Sequence, residues 1–237
     1  MISAFCLHKE EPVRNRAVEV VSEWPVPGEV FDMILGLTGG IASGKSSVAD
    51  CFVDCGAILV SADLLAREIV NPGSPTLEKL VDAFGLDILT AGGSLNRELM
   101  SRKVFSDPAA RRLLESITHP AIAHLAECRL AELRNSPHDL IVYEVPLLFE
   151  AGAESRVDLV LVVVVAPEIQ LARLLQRDNL SAAEARQRIS AQWPQADKVQ
   201  KADFVIDNSG SLEQTRAMVA SLYDYLTRTA VPGFSSS

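Results

Sequence analysis

A glycine-rich segment restricts the possible folds of this chain more than any other part of its sequence. Residues 36–47 read GLTGGIASGKSS, where Gly39, four further residues and then Gly44, Lys45 and Ser46 match the pattern G-x-x-x-x-G-K-[ST]. A short apolar segment precedes this pattern, and a segment with helical spacing of apolar residues follows it. The order of strand, loop and helix predicts that backbone N–H groups of the loop bind phosphate.

The polar residues of this loop have defined tasks in phosphoryl transfer. Lys45 is expected to reach the β- and γ-phosphates of a nucleotide, and the Ser46 hydroxyl is expected to hold Mg²⁺. The alternative is a glycine-rich turn with an exposed lysine, which the flanking strand and helix argue against. The sequence has no N-K-x-D motif of the kind that reads guanine, and the D-x-x-G match at 82–85 lies in a helical pattern. These features favour a small-molecule kinase over a GTPase.

Apolar strands alternate with helical segments along the chain. The predicted strands are 34–38, 57–61, 140–145, 157–165 and 204–207. The predicted helices between and after them are 44–54, 62–70, 168–178, 181–192 and 212–227. A block without convincing strands interrupts this order, with helices predicted at 76–84, 97–105, 108–117 and 120–133. The pattern predicts an α/β fold with a five-stranded parallel sheet, helices on both faces and an inserted helical domain.

Composition excludes some classes of function. The chain has 237 residues and a net charge of −9, which argues against a general nucleic-acid binder. The most apolar stretch, LVLVVVVA at 159–166, is much shorter than the roughly 20 residues of a membrane-spanning helix. The cysteines form no C-x-x-C pair and are interpreted as buried or idle thiols in a reducing, cytoplasmic setting.

The two ends of the chain differ from its middle. Residues 1–32 are mixed and charged, and they lack the long apolar core of a signal peptide. We interpret them as a flexible N-terminal extension, either a tail or the product of an upstream start, and expect Met33 to open the folded domain. That domain is predicted to span 33–230, and residues 231–237 read as a loose tail.

Asp63 is the candidate for chemistry on an acceptor hydroxyl. It follows the predicted strand 57–61, and the ligand crevice of a doubly wound sheet lies at the carboxyl ends of its strands. There Asp63 could orient or deprotonate a hydroxyl, or it could cap the following helix. Arg67 lies one helical turn later, where it could bind an anionic substrate or pair with Asp63.

Other polar residues allow two interpretations each. Gln170, Arg173 and Arg177 share one helical face, where they could stabilise the charge of phosphoryl transfer or form a solvated surface. Glu144, at the end of a predicted strand, could hold a water molecule on Mg²⁺ or be a satisfied carboxylate near the loop. His119 could donate a hydrogen bond to a ligand or cap a helix that begins at residue 120.

Further motifs occur in order along the chain. After the loop come ADLLAR at 62–67, NPG at 71–73, HP at 119–120, VPLLFE at 145–150, QLARLLQRD at 170–178, AQ at 191–192 and ADFVIDNSG at 202–210. In this combination the chain resembles the dephospho-CoA kinase family from residue 34 to about residue 226. The motifs at 62–67 and 145–150 are more specific for this family than the loop itself.

The resemblance implies a concrete activity. It implies transfer of the γ-phosphate of ATP, with Mg²⁺, to the ribose 3′-hydroxyl of dephospho-CoA, which gives ADP and coenzyme A in the final step of that pathway. It implies that 71–134 is a helical CoA-binding insertion and that about 177–193 is a helical lid. The implied partners are ATP and dephospho-CoA, with no nucleic acid, no membrane and no obligate protein partner.

The resemblance also implies roles for individual residues. Catalysis is expected from Lys45, Asp63 and Arg177. The expected ATP-binding residues are Gly40, Ala42, Ser43, Gly44, Lys45, Ser46, Ser47, Arg173, Asn208 and Gly210. The expected substrate-binding residues are Asp63, Arg67, Phe84, His119 and Leu148. Mg²⁺ is expected near Ser46 and Glu144.

Some residues depart from what is frequent in that family. Ala42 replaces a glycine, which is tolerable if its φ is negative. Ser47 replaces the commoner threonine, which is a mild change. Ser61 stands where Asp is frequent, and this strengthens the assignment of Asp63. Glu144 stands where Asp is frequent, and its longer side chain leaves the Mg²⁺ geometry open.

Two other functions stay compatible with parts of the pattern. The chain could be a related kinase in which the helical block binds a different small hydroxyl or nucleotide substrate. It could also be a catalytically silent nucleotide-binding regulator, but the intact Lys45, Ser46, Asp63 and arginines speak against that.

Overall fold

A parallel sheet forms around the strand that leads into the glycine-rich loop. The computed structural model of the chain describes residues 19–20, 33–136 and 138–228. Its strands are β1 (Glu19–Val20), β2 (Ile34–Gly39), β3 (Ile58–Ser61), β4 (Ile141–Glu144), β5 (Leu159–Val164) and β6 (Phe204–Asp207). They lie in the order β1-β6-β5-β2-β4-β3, with every neighbouring pair parallel except β1 and β6. The predicted five-stranded parallel sheet is confirmed, and β1 adds a short antiparallel strand at one edge.

Helices cover both faces of this sheet. They are α1 (Lys45–Asp54), α2 (Ala62–Glu68), α3 (Pro75–Phe84), α4 (Arg97–Ser106), α5 (Pro108–Arg134), α6 (Pro167–Asp178), α7 (Ala182–Ser190), α8 (Gln195–Gln200) and α9 (Leu212–Arg228). Short 3₁₀ turns lie at Leu86–Ile88 and Glu154–Arg156.

Alternation along the strands divides the core into two layers. In β5, Leu161 and Val163 face the layer that packs under α1 and α9, whereas Val160 and Val162 face the layer that packs under α5. Successive side chains of a strand point to opposite faces, so a strand covered on both sides must be apolar throughout. This explains why LVLVVV is fully apolar without being a membrane segment.

The helical block between β3 and β4 has an apolar core of its own. The buried members of this third cluster are Ile69, Val70, Leu77, Leu80, Ile88 and Met100. The long helix α5 joins this core to the sheet, because Ile122 and Leu125 pack against both the third cluster and the layer under α5.

The predicted break between two helices at 117–120 is wrong. Helix α5 runs without interruption through Pro120 for 27 residues. Proline in a helix removes one N–H donor and frees the carbonyl four residues earlier, here that of Ser116. Both residues are exposed, so water can satisfy that carbonyl. His119 therefore lies inside a helix and does not cap one.

The segment that follows α7 also differs from the prediction. Residues 195–200 form α8, which carried no helical signal in the sequence. Its residue Lys198 is fully buried and its ammonium lies 2.7 Å from Glu150 Oε1. This helix of six residues is held by a buried ion pair and by the packing of Val199 against the layer under α5.

The chain ends can be described only in part. Glu19 and Val20 pair with Val205 and Phe204, a contact that the prediction of a flexible extension did not include. The rest of the extension and the predicted tail at 231–237 lie outside the described residues. Within the described part of the chain, no helix combines the length and apolarity that a membrane crossing requires.

Candidate active site

The glycine-rich loop lies where the order of the sheet changes direction. Strand β2 has β4 on one side and β5 on the other. The chain runs from β2 to β3 toward one edge of the sheet and from β4 to β5 toward the other edge. A crevice at this point is the usual ligand site of an open parallel sheet. A cavity of ≈ 670 Å³ opens here, and its walls include Lys45, Asp63, Glu144, Arg173 and Arg177. Residues far apart in sequence therefore meet at the loop.

The backbone of the loop adopts left-handed conformations at two positions. Gly44, which precedes α1, has φ 87°, and Ala42 has φ 58°. The expectation that Ala42 would have a negative φ is wrong, yet the loop closes. An alanine in the left-handed region costs roughly 1–2 kcal/mol, so neighbouring contacts must hold this part of the loop. Gly44 cannot be replaced in the same way, because a methyl group there would overlap the side-chain amide of Asn208.

The side chain of Lys45 is hydrogen-bonded to the backbone of the glycine-rich loop. Its Nζ donates to the carbonyl oxygens of Gly39 and Gly40, at 3.1 and 2.9 Å. Burial lowers the pKa of the Lys45 ammonium from 10.5 to about 8, and the Glu144 carboxylate nearby opposes part of that shift. An anionic phosphate in the cavity would favour the charged form and draw the ammonium toward itself.

Ser46 and Glu144 meet on the floor of the cavity. The Ser46 hydroxyl donates to Glu144 Oε1 at 3.1 Å. In the described part of the chain, no cluster of three or more acidic, His or Cys side chains is arranged to hold a metal. Mg²⁺ in kinases needs no such cluster, because it keeps several water molecules and binds one or two protein oxygens besides the phosphates. The pair therefore fits Mg²⁺.

Asp63 lies at the mouth of the cavity with its side chain exposed. It belongs to the first turn of α2, whose N-cap is Ser61, so Asp63 is not the cap of that helix. A carboxylate that is free of a capping bond and faces the cavity can accept a proton from a bound hydroxyl. Arg67 follows in the last turn of α2 and is also exposed.

The arginines of α6 make different contacts. Arg173 Nη2 donates to the carbonyl of Asn208 at 3.0 Å, while its Nη1 is buried and has no hydrogen-bond partner in the described part of the chain. Arg177 is bound to Asp178, with Nε 2.7 Å from Oδ1, and this contact holds the pKa of Asp178 below its usual range. Arg188 of α7 also binds Asp178, at 2.8 Å. Arg177 therefore has two of its three guanidinium nitrogens bound to a carboxylate.

A residue that directly follows β6 holds the glycine-rich loop by a hydrogen bond. The Asn208 amide donates to the Ser43 carbonyl at 2.8 Å and its side-chain oxygen accepts from Thr215 at 2.7 Å. Asn208 was predicted to bind ATP, and here its side chain joins the loop at Ser43 to Thr215 of α9. At Gly210 a methyl group would displace the end of the Gln214 side chain, whose oxygen accepts from the Ser211 N–H.

The predicted substrate residues are spread over the molecule. Phe84 ends α3 and packs against the core of the helical block, and His119 is exposed on α5. Leu148 was expected to touch substrate, but it is fully buried in the layer under α5. Its neighbour Leu147 is 41% exposed and lines the cavity. In the motif VPLLFE, Leu147 and not Leu148 faces the site.

Several contacts of the site were not predicted. The side chains of Gln170 and Gln192 both bind Ile41 of the loop. Glu150 binds the backbone N–H of Trp193 and the buried ammonium of Lys198. These residues appear in the motifs of the sequence, but partners more than forty positions apart cannot be paired from one sequence.

Comparison of the sequence with known proteins identifies a family of kinases. The sequence profile of the family described as dephospho-CoA kinase matches residues 33–214. A dephospho-CoA kinase of Syntrophotalea carbinolica is 55% identical over 201 residues, which are 85% of this chain and 93% of that protein. A dephospho-CoA kinase of Geobacter metallireducens is 49% identical over 191 residues, which are 81% of this chain and 95% of that protein.

Solved structures give the same result. A Thermus thermophilus protein is 36% identical, with a TM-score of 0.68 over 82% of this chain and 98% of that one. The dephospho-CoA kinase from Campylobacter jejuni is 29% identical, with a TM-score of 0.63 over 84% of this chain and 98% of that one. With the phosphate loop, the cavity and these matches all in the same residues, the chain belongs to the dephospho-CoA kinase family.

Proposed function

We propose that this chain transfers the γ-phosphoryl group of ATP to the ribose 3′-hydroxyl of dephospho-CoA. Its family makes it a kinase that acts in the final step of coenzyme A biosynthesis. The observation that carries the proposal is that Lys45, Asp63 and Arg177 line the same cavity beside the phosphate loop. A loop for the donor, a carboxylate for the acceptor and a cation for the transferred group are the parts that phosphoryl transfer needs.

The loop and Lys45 are assigned to the phosphates of ATP. The N–H groups of residues 42–47 and the start of α1 offer donors and a positive helix end to a polyphosphate. Lys45 would leave the carbonyls of Gly39 and Gly40 and donate to the β- and γ-phosphates. Arg173, whose buried Nη1 has no partner in the described residues, has a free donor for the same ligand.

Asp63 is assigned to the acceptor hydroxyl. When dephospho-CoA is bound with its 3′-hydroxyl at the mouth of the cavity, that hydroxyl donates a hydrogen bond to the Asp63 carboxylate. As the oxygen attacks the γ-phosphorus, the proton passes to the carboxylate. Arg177, released from Asp178, balances the negative charge on the phosphoryl oxygens.

Mg²⁺ is assigned to the floor of the cavity. Ser46 would be a direct ligand and Glu144 would hold a water molecule of the metal, since their oxygens lie side by side. When bound, Mg²⁺ neutralises the charge of the β- and γ-phosphates. The exposed Arg67 and His119, with Phe84, are assigned to binding of dephospho-CoA by the helical block.

A direct assay tests this function. ADP release is measured with ATP and Mg²⁺, with and without dephospho-CoA, and the product is weighed by mass spectrometry. ADP release that depends on dephospho-CoA, with a product heavier by one phosphate, is expected. Tight ATP binding without such turnover would contradict the proposed acceptor. Lys79→Met, a change at an exposed site on α3, is the matched control for the inactive Lys45→Met variant.

A further inference from the structure

One residue of the phosphate loop is bound on both sides by glutamine side chains. The backbone N–H of Ile41 donates to Gln192 Oε1 at 2.6 Å. The Gln170 amide nitrogen donates to the Ile41 carbonyl at 2.8 Å. The two bonds require opposite ends of the two amides, so each fixes the orientation of its side chain. We call this arrangement of Gln170, Ile41 and Gln192 the glutamine clamp.

The clamp acts on the peptide groups that control the loop. The N–H of Ile41 belongs to the same peptide group as the Gly40 carbonyl, which accepts from Lys45. The Ile41 carbonyl belongs to the peptide group that leads into Ala42, where φ is 58°. Gln192 therefore orients the group that holds Lys45, and Gln170 orients the group beside the left-handed alanine.

The approach of Gln170 also accounts for a glycine. A methyl group on Gly40 would lie 2.8 Å from the Gln170 amide nitrogen, closer than such contacts occur. Gly40 keeps an ordinary φ, so its conformation does not demand a glycine. A side chain at position 40 would instead push the Gln170 amide away from the Ile41 carbonyl.

Gln192 is itself held at the root of the expected lid. The next residue, Trp193, donates its backbone N–H to Glu150 Oε1 at 3.1 Å, and the buried Lys198 binds the same oxygen at 2.7 Å. The Trp193 ring stacks on Phe149, with centroids 6.0 Å apart. These contacts anchor the segment that carries Gln192 to the loop after β4.

We propose that Gln170 and Gln192 are positioning residues for ATP. They hold residues 40–42 in the conformation that receives the phosphates, and they offset the cost of the left-handed Ala42. This inference rests on the proposed function in one respect, namely that ATP binds this loop. It gives the segment that carries Gln192 a role at the ATP site. This role does not depend on which acceptor the enzyme uses.

The test replaces each clamp residue by methionine, which keeps the length of the side chain and removes its amide. Because a net hydrogen bond contributes about 1 kcal/mol, Gln192→Met and Gln170→Met are each expected to raise KM for ATP about fivefold. The kcat at saturating ATP and the KM for dephospho-CoA should stay near those of the wild type. The matched control is Gln187→Met on the exposed face of α7, which should change none of these constants.

The double variant gives a second readout. Both side chains act on Ile41, so loss of one bond already frees the segment and loss of the second should raise KM by less than the product of the single effects. A merely structural role would lower kcat through loss of folded enzyme and leave KM for ATP unchanged.

Three results would overturn the proposal. They are a KM for ATP within twofold of the wild type in either folded single variant, a purely kcat-based loss, or multiplicative effects in the double variant. If Gln192→Met does not fold, Gln170→Met decides alone. If the wild type shows no turnover with dephospho-CoA, calorimetric ATP affinity of the same variants still tests the clamp separately from the proposed function.

Discussion

The side chain of Lys45 carries its ammonium group in a buried position beside the glycine-rich loop. Its pKa falls from 10.5 to about 8 because burial removes water from the charged form. The unfolded chain therefore binds more protons than the folded one between about pH 8 and 10.5. In that window the free energy of unfolding rises with pH as far as Lys45 is concerned.

ATP affinity should depend on pH for the same reason. Bound phosphates favour the charged ammonium, so binding above about pH 8 requires uptake of a proton. We expect the dissociation constant for ATP to rise as pH increases from 8 to 9.5, by at most about tenfold per pH unit. Calorimetry across pH 7–9.5 in buffers of different ionisation enthalpy measures both quantities. In Lys45→Met, where binding is weaker throughout, the dependence should vanish; a flat profile in the wild type would contradict the assigned cause.

Asp63→Asn tests the assignment of the carboxylate that faces the cavity. The amide cannot accept the proton of the hydroxyl, so kcat should fall by roughly 10²-fold or more while ATP affinity is kept. Steady-state kinetics and ATP titration measure the two effects. Asp50→Asn, on the exposed side of α1, makes the same chemical change away from the cavity and should behave like the wild type. Near-normal turnover of Asp63→Asn would refute its role.

At the scale of helices and strands, apolar periodicity carried most of the prediction. Strand β6 and helices α3 and α4 begin and end within about two residues of their predicted bounds, because apolar spacing and turn residues mark them. Pro120 was misread, since a proline after two polar residues looks like a helix start when its solvent exposure is unknown. Helix α8 was not predicted, because it is only six residues long and its Lys198 pairs with Glu150, 48 positions earlier in the chain.

That ion pair should contribute strongly to the stability of the segment 193–200. Lys198 is fully buried, and Glu150 Oε2 is already without a hydrogen-bond partner in the described part of the chain. Lys198→Met leaves the Glu150 charge without its counter-ion, with only the Trp193 N–H as a partner, and should cost about 3 kcal/mol of unfolding free energy. Chemical denaturation measures this loss.

The second change at this pair separates charge from packing. Adding Glu150→Met to Lys198→Met removes the unpaired charge and should recover a large part of the lost stability. If the double variant is as unstable as the single one, the stability does not depend on the unpaired carboxylate. The surface change Lys79→Met should stay within about 0.5 kcal/mol of the wild type.

At the scale of the whole molecule, the position of the site could be predicted, but the contacts between its side chains could not. Placement of the loop at a change of strand direction follows from the order of strands and helices. Asp63 was placed at the cavity by its position after a strand, and Lys45 by the loop motif. Two details depend on which side of a short segment faces inward. Leu147 and not Leu148 lines the cavity, and the Asn208 side chain bonds the loop. Neither has a periodic signal in a connection of a few residues.

Removal of residues 1–32 tests the predicted domain boundary. Only Glu19 and Val20 of that segment have a described contact, a two-residue pairing with β6, and the family profile begins at residue 33. We expect the shortened chain to keep its KM values and kcat, with a small loss of thermal stability from the uncovered β6 edge. Kinetics and thermal unfolding of both lengths provide the measurement. Loss of folding would show that the extension is part of the domain.

The long helix α5 has a consequence for how the molecule melts. Ile122 and Leu125 pack against two cores at once, so neither the helical block nor the sheet can lose its packing without disturbing the other. Unfolding should then be one cooperative transition and not two separate ones. A ligand that binds to the block alone must raise the melting temperature of the entire chain, the phosphate loop included.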